Sequence, residues 1–402
     1  MREIGAFTKI VISSDEKMIL LFWGSSGDER TMKILMLGHK RIPSRAGGVE
    51  IVVGELSRRM VALGHQVVCC NRGGHSVSGR EIDNMREKYW EGVWLKTVPT
   101  LDRKGLAAVT SSFFASVYAA FSDADVVHIH AEGPAFWCWI PRLMGKRVVV
   151  TVHGLDWKRA KWQAGLGKTY IRWGEKMAVR FADEIIVLSE NMQAYFADTY
   201  GRKTAFIPNG VSAGDRVPAM EIRKQFGLEK NNYLLFLGRL VPEKGVHYLI
   251  AAFRHVKTEK YLVIAGGGSD SDAYMRKIKK LAAGDARILF LGHVRERVLE
   301  ELYSNSYLYV LPSEVEGMPL SLLEAMSYGN CCLVSDIPEC AQVVENRGMT
   351  FPTGDVDALR EALQKLCDDP QQVQRYRETA REFVCQKYNW DDITARTLEL
   401  YT

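Results

Sequence analysis

Short apolar runs alternate with amphipathic stretches along the chain from residue 32 onward. The runs at 34–37, 147–152, 233–237 and 307–311 are rich in Val, Ile, Leu and Tyr, as are strands buried on both faces of a parallel sheet. Between such runs lie stretches with helical periodicity, of which 49–63 is the clearest. This alternation predicts an α/β protein with two doubly wound domains and a cleft between them.

The same pattern divides the chain into parts. Residues before Met32 show no clear periodicity. They are predicted to be a poorly ordered extension, or else Met32 lies near the natural start; a short membrane-touching arm at 19–23 is the alternative. A long helical stretch is predicted at 371–402. In chain order the predicted parts are an extension at 1–31, a first domain at 32–210, a linker at 211–231, a second domain at 232–375 and closing helices at 376–402.

Charge is unevenly distributed between the two predicted domains. The whole chain has a net charge of +5, whereas residues 33–208 contain 25 Lys and Arg against 16 Asp and Glu. The first domain is therefore predicted to face an anionic partner. The eight cysteines show no C-x-x-C spacing, which is typical of the reducing cytosol. No run reaches the ~18 apolar residues of a membrane span, and no secretion signal is recognisable.

The stretch 316–329, EGMPLSLLEAMSYG, carries the most specific chemical signal. It follows a predicted strand and opens a predicted helix, with Pro319 in the first turn and Gly329 as the stop. Amide groups at a helix N-terminus favour an anion, and here Glu316 and Glu324 lie on either side of that turn. Two carboxylates around a phosphate-binding turn suit a nucleotide sugar, whereas a capped helix with solvated glutamates is the alternative.

This stretch resembles the signature of the family 4 retaining glycosyltransferases, in which two glutamates are separated by seven residues around G-x-P-L-S-L-L-E-A-M. The resemblance covers nearly everything after residue 32. It implies the GT-B fold, with two Rossmann-like domains facing a cleft and the last helix crossing back to the first domain. It also implies transfer of a sugar from a nucleoside diphosphate with retention and without a metal or other cofactor, Glu316 orienting the sugar and Glu324 holding the ribose.

Further donor-site residues are predicted from their position at the ends of predicted strands and from the resemblance. Arg239 and Lys244 converge on a predicted helix N-terminus, where a departing diphosphate needs cations. His153 ends a parallel strand, and the resemblance places it at the donor sugar; a structural histidine is the alternative. The resemblance assigns donor binding also to Gly47, Gly48, Gly266, His293, Gly317, Met318, Pro319, Leu320 and Ser321.

The segment 157–180 combines seven basic residues and one acidic residue with four interleaved aromatic residues. This pattern suits an anionic membrane surface or a polyprenyl-diphosphate-linked acceptor, and a solvated helix with core tryptophans is the alternative. Nucleic acid fits on charge alone and is not expected. Contacts to the acceptor or sugar are predicted for Asp156, Trp157, Lys158 and Arg159.

The residues DWKRAKW within this region resemble bacterial polysaccharide glycosyltransferases often named rhamnosyltransferases. That resemblance implies a cytoplasmic step of cell-surface polysaccharide assembly, peripheral on the inner face of the plasma membrane, with a glycan or lipid-linked acceptor.

Two short motifs, a D-x-D and a glycine triplet, could indicate other kinds of site. The D-x-D at 123–125 precedes its strand, at the sheet end opposite the cleft, so no metal site is predicted. The triplet 266–268 lacks the full G-x-G-x-x-G spacing, which makes a dinucleotide-dependent dehydrogenase the least favoured class. A nucleotide-sugar epimerase or phosphorylase on the same fold, or a non-catalytic membrane-docked nucleotide-sugar-binding protein, remain alternatives.

Overall fold

Two mainly parallel β-sheets, one in each half of the chain, form the framework of the protein. The computed structural model describes residues 31–45, 47–74, 88–103, 105–158, 166–268, 272–294 and 296–402. The predicted extension at 1–31 lies almost wholly outside the described residues.

The first sheet has eight strands in the order β3-β4-β2-β1-β5-β6-β7-β8, parallel except for the β3–β4 hairpin. Its strands are β1 (Lys33–Leu37), β2 (Gln66–Arg72), β3 (Tyr89–Trp90), β4 (Val93–Val98), β5 (Val126–His130), β6 (Arg147–Val152), β7 (Glu184–Val187) and β8 (Ala205–Phe206). The helices of this half are α1 (Gly48–Ala62), α2 (Leu106–Phe121), α3 (Glu132–Ala135), α4 (Trp139–Leu143), α5 (Leu166–Phe181) and α6 (Glu190–Tyr200).

The second sheet has six strands in the order β11-β10-β9-β12-β13-β14, all parallel. Its strands are β9 (Tyr233–Leu237), β10 (Tyr261–Ala265), β11 (Ile288–Gly292), β12 (Leu308–Leu311), β13 (Cys332–Ser335) and β14 (Met349–Phe351). The helices are α7 (Glu221–Phe226), α8 (Val246–Phe253), α9 (Asp272–Ala282), α10 (Glu296–Asn305), α11 (Leu320–Ser327), α12 (Pro338–Val344), α13 (Val356–Asp368), α14 (Pro370–Lys387) and α15 (Trp390–Glu399).

Successive residues along the strands of the first sheet belong alternately to two separate hydrophobic cores, one on each face of the sheet. Leu35 belongs to the core that includes α2, α5 and α6, whereas its neighbours Ile34 and Met36 belong to the core that includes α1 and α15. This is the pattern expected for strands covered by helices on both sides, since successive side chains point to opposite faces.

The closing helical stretch differs from its prediction, because it is interrupted. The helix α14 ends at Lys387, and Asn389 caps α15, its Oδ1 accepting from the Asp391 amide at 2.7 Å. The helix α15 then packs on α1 of the first half, and the Tyr401 hydroxyl lies 2.6 Å from His128 Nδ1. An asparagine inside a helical pattern was therefore a boundary that periodicity alone did not reveal.

Smaller differences concern the ends of elements. Pro319 precedes α11 instead of standing in its first turn, whereas Gly329 ends the helix as predicted, directly after the C-cap Tyr328 and with φ +71°. The predicted linker at 211–231 contains α7, whose Ile222 is fully buried. Among the described residues, no helix is long and apolar enough to cross a membrane.

Candidate active site

A buried ion pair joins the loops that follow β9 and β12. These strands are neighbours, so their carboxyl ends meet at one edge of the second sheet. Lys244 Nζ donates to Glu316 Oε1 at 2.5 Å, and the two side chains are only 12% and 9% exposed. Gly245 allows the close approach, because a Cβ on it would lie 1.9 Å from the Pro312 carbonyl oxygen. The two predicted residues are thus brought together and held in place.

The second predicted carboxylate, Glu324, lies in α11 and has two partners. The Tyr303 hydroxyl donates to Glu324 Oε2 at 3.1 Å, and Arg45, from the loop before α1, forms an ion pair with Oε1. Burial raises the pKa of Glu324, while Arg45 and Tyr303 act in the opposite direction. Arg45 therefore connects the two halves of the chain at this carboxylate.

Backbone contacts bring the Glu316 loop against the first half. A Cβ on Gly317 would lie 1.8 Å from the carbonyl oxygen of His153, which follows β6. The Asn209 side chain donates to the Met318 carbonyl oxygen at 3.1 Å. His153 and Gly317 are therefore adjacent across the cleft, with Glu316 next along the chain.

His153 is hydrogen-bonded to a second histidine that sequence reasoning did not select. Its Nε2 lies 3.0 Å from Nδ1 of His130, the last residue of β5. Burial holds the pKa of His130 well below its ordinary value, so this ring is neutral near pH 7. A neutral imidazole has one donor and one acceptor nitrogen, so the contact fixes the orientation of the His153 ring.

The predicted glycines lie where chains approach closely. Gly47 precedes α1, Gly48 opens it, and a Cβ on Gly48 would lie 3.4 Å from Leu320, the first residue of α11. Gly266 has φ +141°, and its Cβ would lie 1.8 Å from the Gly238 carbonyl oxygen. A side chain at Gly266 would therefore be excluded by backbone as well as strained.

Other predicted residues lie apart from this centre or outside the described chain. Arg239 is exposed in the loop after β9, and among the described residues it forms no ion pair. His293 follows β11, an edge strand separated from β12 by two strands, and is exposed. Arg159 lies outside the described residues, and of Lys158 only the backbone is described, in a short 3₁₀ helix with Asp156 and Trp157.

Buried carboxyl groups support the loop that carries Asp156 and Trp157. Glu132 Oε2 accepts from the Asp156 amide at 2.8 Å, and Glu175 Oε2 accepts from Trp157 Nε1 at 3.3 Å. The hydroxyls of Tyr195 and Tyr200 also donate to Glu175 Oε1. Glu132 and Glu175 are both fully buried, so the exposed charged residues among the described side chains of α5 are all basic.

Two families of known proteins match the chain in succession. The family described as Glycosyltransferase Family 4 matches residues 46–214, and the family described as Glycosyl transferases group 1 matches residues 219–383. The matched ranges contain both halves of the site, including His153 and Glu316. The chain belongs to the family 4 glycosyltransferases. The resemblance seen at 316–329 is thereby confirmed.

Curated relatives and solved structures agree with this membership. The glycosyltransferase is 28% identical to the glycogen synthase of Mycobacterium tuberculosis, over 92% of this chain and 94% of that protein. It is 29% identical to the UDP-Gal:alpha-D-GlcNAc-diphosphoundecaprenol alpha-1,3-galactosyltransferase of Escherichia coli, over 68% of this chain and 74% of that protein. Neither is named a rhamnosyltransferase, so that subgroup stays a prediction.

The fold of the glycosyltransferase matches that of sucrose-phosphate synthase from Thermosynechococcus elongatus with a TM-score of 0.77 and 22% identity, over 92% of this chain and 98% of the other. It matches Anabaena HepE in complex with UDP-glucose with a TM-score of 0.75 and 19% identity, over 92% and 99%. The predicted α/β fold of the GT-B type is confirmed.

Four residues of the glycosyltransferase site were missed from the sequence: Arg45, His130, Glu132 and Tyr303. His130 ends β5, and Glu132 follows two residues later. The rule that selected His153, a polar residue at the carboxyl end of a parallel strand, would have found both. No comparable signal marks Arg45, whose contact depends on how the two halves meet, or Tyr303, whose partner Glu324 lies on another helix of the second half.

Replacing Glu132 with glutamine is expected to make the glycosyltransferase less sensitive to alkaline pH. Burial and the neighbouring Glu175 and Asp156 raise the pKa of Glu132 well above its ordinary 4.5. The folded protein therefore keeps a proton that the unfolded chain has lost, so the free energy of unfolding falls as pH rises above about 4.5. Glutamine keeps the shape of the side chain and a hydrogen-bond donor, but it cannot lose a proton. Urea unfolding at about pH 5 and about pH 9 measures how much the free energy of unfolding changes with pH in wild type and in the variant.

Glu175→Gln is the matched comparison, because it replaces an acceptor that serves three donors and should lower stability at both pH values. Equal pH dependence of wild type and Glu132→Gln would show that Glu132 is ionised in the folded protein.

Proposed function

We propose that this glycosyltransferase is a retaining, metal-independent enzyme that moves a hexosyl or deoxyhexosyl unit from a nucleoside-diphosphate sugar to a glycan or lipid-linked saccharide. The observation that carries the proposal is the buried Lys244–Glu316 pair beside His153. A cation for phosphate and a carboxylate for sugar hydroxyls stand together at the strand edge where such folds bind ligands. The similarly folded HepE, whose structure is a complex with UDP-glucose, supports the donor class.

In the proposed reaction the protein acts mainly by electrostatics. Lys244, the exposed Arg239 and the amide groups at the start of α8 stabilise negative charge on the leaving diphosphate. Glu316 orients the sugar hydroxyls and Glu324 the ribose hydroxyls, while His153 lines the sugar site. The bond between the anomeric carbon and the phosphate oxygen breaks as the acceptor oxygen bonds to the same carbon on the same face. The acceptor proton goes to the departing phosphate oxygen, so no separate base is needed.

Glu324 must exchange a partner when the donor binds. In the described structure Arg45 and Tyr303 already occupy its carboxylate. Ribose hydroxyls can replace Arg45, because its side chain is largely exposed, whereas Tyr303 is buried behind Glu324. Tyr303 therefore forms one side of the proposed ribose site before the donor binds. The other side becomes accessible when Arg45 moves away from Glu324.

The acceptor side of the proposal rests on α5 and the loop before it. Lys168 and Arg172 lie over the Trp157 ring at 5.7 and 5.5 Å, and Arg172, Trp173 and Lys176 are exposed. We assign this side to an acceptor carrying a lipid diphosphate, at the inner face of the plasma membrane, in polysaccharide assembly. The name of the Escherichia coli relative, which contains diphosphoundecaprenol, supports that class.

A melting-temperature panel with UDP, dTDP, GDP, ADP and NAD, each with and without EDTA, tests the donor assignment. One nucleoside diphosphate is expected to raise the melting temperature with EDTA present. At 100 times its Kd it should add about 2.7 kcal/mol to the free energy of unfolding. Its sugar conjugates are then supplied with lipid-diphosphate acceptors, and NMR of the product reads the anomeric configuration.

The other outcomes separate the competing classes. A response to NAD alone, or one abolished by EDTA, would contradict the donor and metal assignments. Conversion of the nucleotide sugar without acceptor, or only with inorganic phosphate, would identify an epimerase or a phosphorylase. Inversion at the anomeric carbon would contradict the assignment as a retaining enzyme, but it would not contradict the assignment of a nucleoside-diphosphate sugar as the donor.

A further inference from the structure

The outer side of α2 carries exposed apolar side chains at its start and in its second half. None of its sixteen residues, LAAVTSSFFASVYAAF, is charged. Leu106, Phe114, Tyr118 and Phe121 are exposed, and at 100° per residue they lie within about one third of the helix circumference. The opposite side, with Ala115 and Ala119, is buried in the core of the first half. The exposed side chains therefore form an apolar stripe on one side of α2, in which the half-buried Thr110 lies between Leu106 and Phe114.

The end of α4 extends this stripe. Leu143 and Met144 are exposed, and α4 packs against α2. Lys146 Nζ donates to the carbonyl oxygen of Ser122, the residue after α2, at 2.6 Å, which holds the two helix ends together. We call the six residues Leu106, Phe114, Tyr118, Phe121, Leu143 and Met144 the apolar surface.

Basic residues predominate among the exposed charges of the helices that carry or adjoin the apolar surface. On α2, α4 and the described side chains of α5, every exposed charged residue is a cation: Arg142, Arg172, Lys176 and Arg180. Lys96 Nζ also lies 5.2 Å from the centre of the Tyr118 ring. Two exposed acidic residues follow α2: Asp123 is paired with Lys33 at 2.5 Å, and Asp125 accepts from the Lys33 amide at 2.8 Å. Arg142 is paired with Asp183 at 3.0 Å, which leaves Arg172, Lys176 and Arg180 as the exposed cations of α5. Apolar side chains with flanking cations match a membrane surface, where acyl chains lie beneath anionic headgroups.

We propose that the apolar surface docks the protein on a bilayer that contains anionic lipids. The aromatic and aliphatic side chains enter the boundary between headgroups and acyl chains, while the guanidinium and ammonium groups contact lipid phosphates. The inference deepens the proposed function, on which it rests for the lipid-linked acceptor, and assigns the inserting element to α2 and α4 rather than to the basic segment alone.

A second copy of the chain fits this surface less well. A symmetric dimer would place the same patch on both subunits, and like charges from α5 would then face one another. A lipid surface supplies the opposite charge instead. Lipid is therefore the occupant that the charges favour.

The test is co-sedimentation of the full chain with vesicles of three parts phosphatidylcholine to one part phosphatidylglycerol, and with vesicles of phosphatidylcholine alone. The variant Phe121→Ser/Leu143→Ser removes the two most exposed members, at 75% and 69% exposure. Its affinity for the mixed vesicles is expected to fall at least tenfold. The matched control, Leu63→Ser/Met220→Ser, changes residues of 59% and 63% exposure elsewhere and should stay within twofold of wild type.

A second variant, Arg172→Glu/Lys176→Glu, tests the charges independently and should abolish the preference for phosphatidylglycerol. The proposal is overturned if both variants bind as wild type, or if wild type binds the two vesicle types equally. It is also overturned if light scattering shows a stable dimer that Phe121→Ser/Leu143→Ser dissociates. The melting-temperature shift with the nucleoside diphosphate should be unchanged in Phe121→Ser/Leu143→Ser, so loss of donor binding and loss of docking are distinguishable.

Discussion

Replacing Lys244 with methionine is expected to lower kcat by about 10²–10³-fold, because it removes a cation from the position proposed for the leaving diphosphate. The same change should also lower the free energy of unfolding by about 3–5 kcal/mol, since Glu316 would keep its charge in a buried site without a partner. Steady-state kinetics and urea unfolding measure the two effects separately.

The double variant Lys244→Met/Glu316→Gln separates catalysis from folding. It removes both charges at similar shape, so most of the lost stability should return while turnover stays low. Lys387→Met is the matched control, because Lys387 Nζ and Glu345 Oε1 are also 2.5 Å apart but 37% and 42% exposed. That change should cost less than about 1 kcal/mol and leave kcat unchanged. If the double variant regained wild-type turnover, Lys244 would have a structural role only.

Gly317→Ala is expected to reduce turnover by about 10²-fold, although alanine adds a single methyl group. That methyl would lie 1.8 Å from the His153 carbonyl oxygen, so one of the two loops must move. Displacement of a reacting group by about 1 Å costs about 10²-fold in rate, and overpacking costs about 1–3 kcal/mol in stability. Donor turnover and thermal unfolding of the purified variant measure both.

The glycine in α1, Gly54, provides the comparison for that substitution. A Cβ there would meet the Trp90 ring at 3.4 Å, which is ordinary contact, and alanine favours a helix. Gly54→Ala should therefore keep wild-type turnover and equal or exceed wild-type stability. Wild-type turnover in Gly317→Ala would mean that the close approach of the two loops plays no part in the reaction.

The residues that could be predicted are those whose chemistry follows from strand direction. Lys244 and Glu316 lie after neighbouring parallel strands, so their convergence needs no knowledge of the other half. The burial of Glu132 could not be predicted from the sequence, because it depends on how closely α3 and α5 pack. A Cβ on Gly174 would lie 1.9 Å from the Glu132 carbonyl oxygen. Periodicity reports which face of a helix is apolar but not how near another backbone lies.

The same distinction applies to the fold. The limits of β6 and β9 were predicted to the residue, since an apolar run defines each strand. The two-residue strand β3 and the break before α15 were missed, because each depends on a single local contact: a hairpin pairing with β4 and the Asn389 cap. Arg45 was missed for another reason, since its partner Glu324 is far along the chain in the other half.

The position of α15 has a consequence for how this protein is made. Trp390, Ile393 and Tyr401 complete a core whose other members, such as Met36 and Val53, belong to the first half of the chain. A ribosome makes those last members only after it has made the entire second sheet. While the chain is being translated, the first sheet therefore has one face without its final cover, and its maturation waits for residues encoded roughly a thousand bases downstream. Chaperones that hold exposed apolar surface have that interval in which to act.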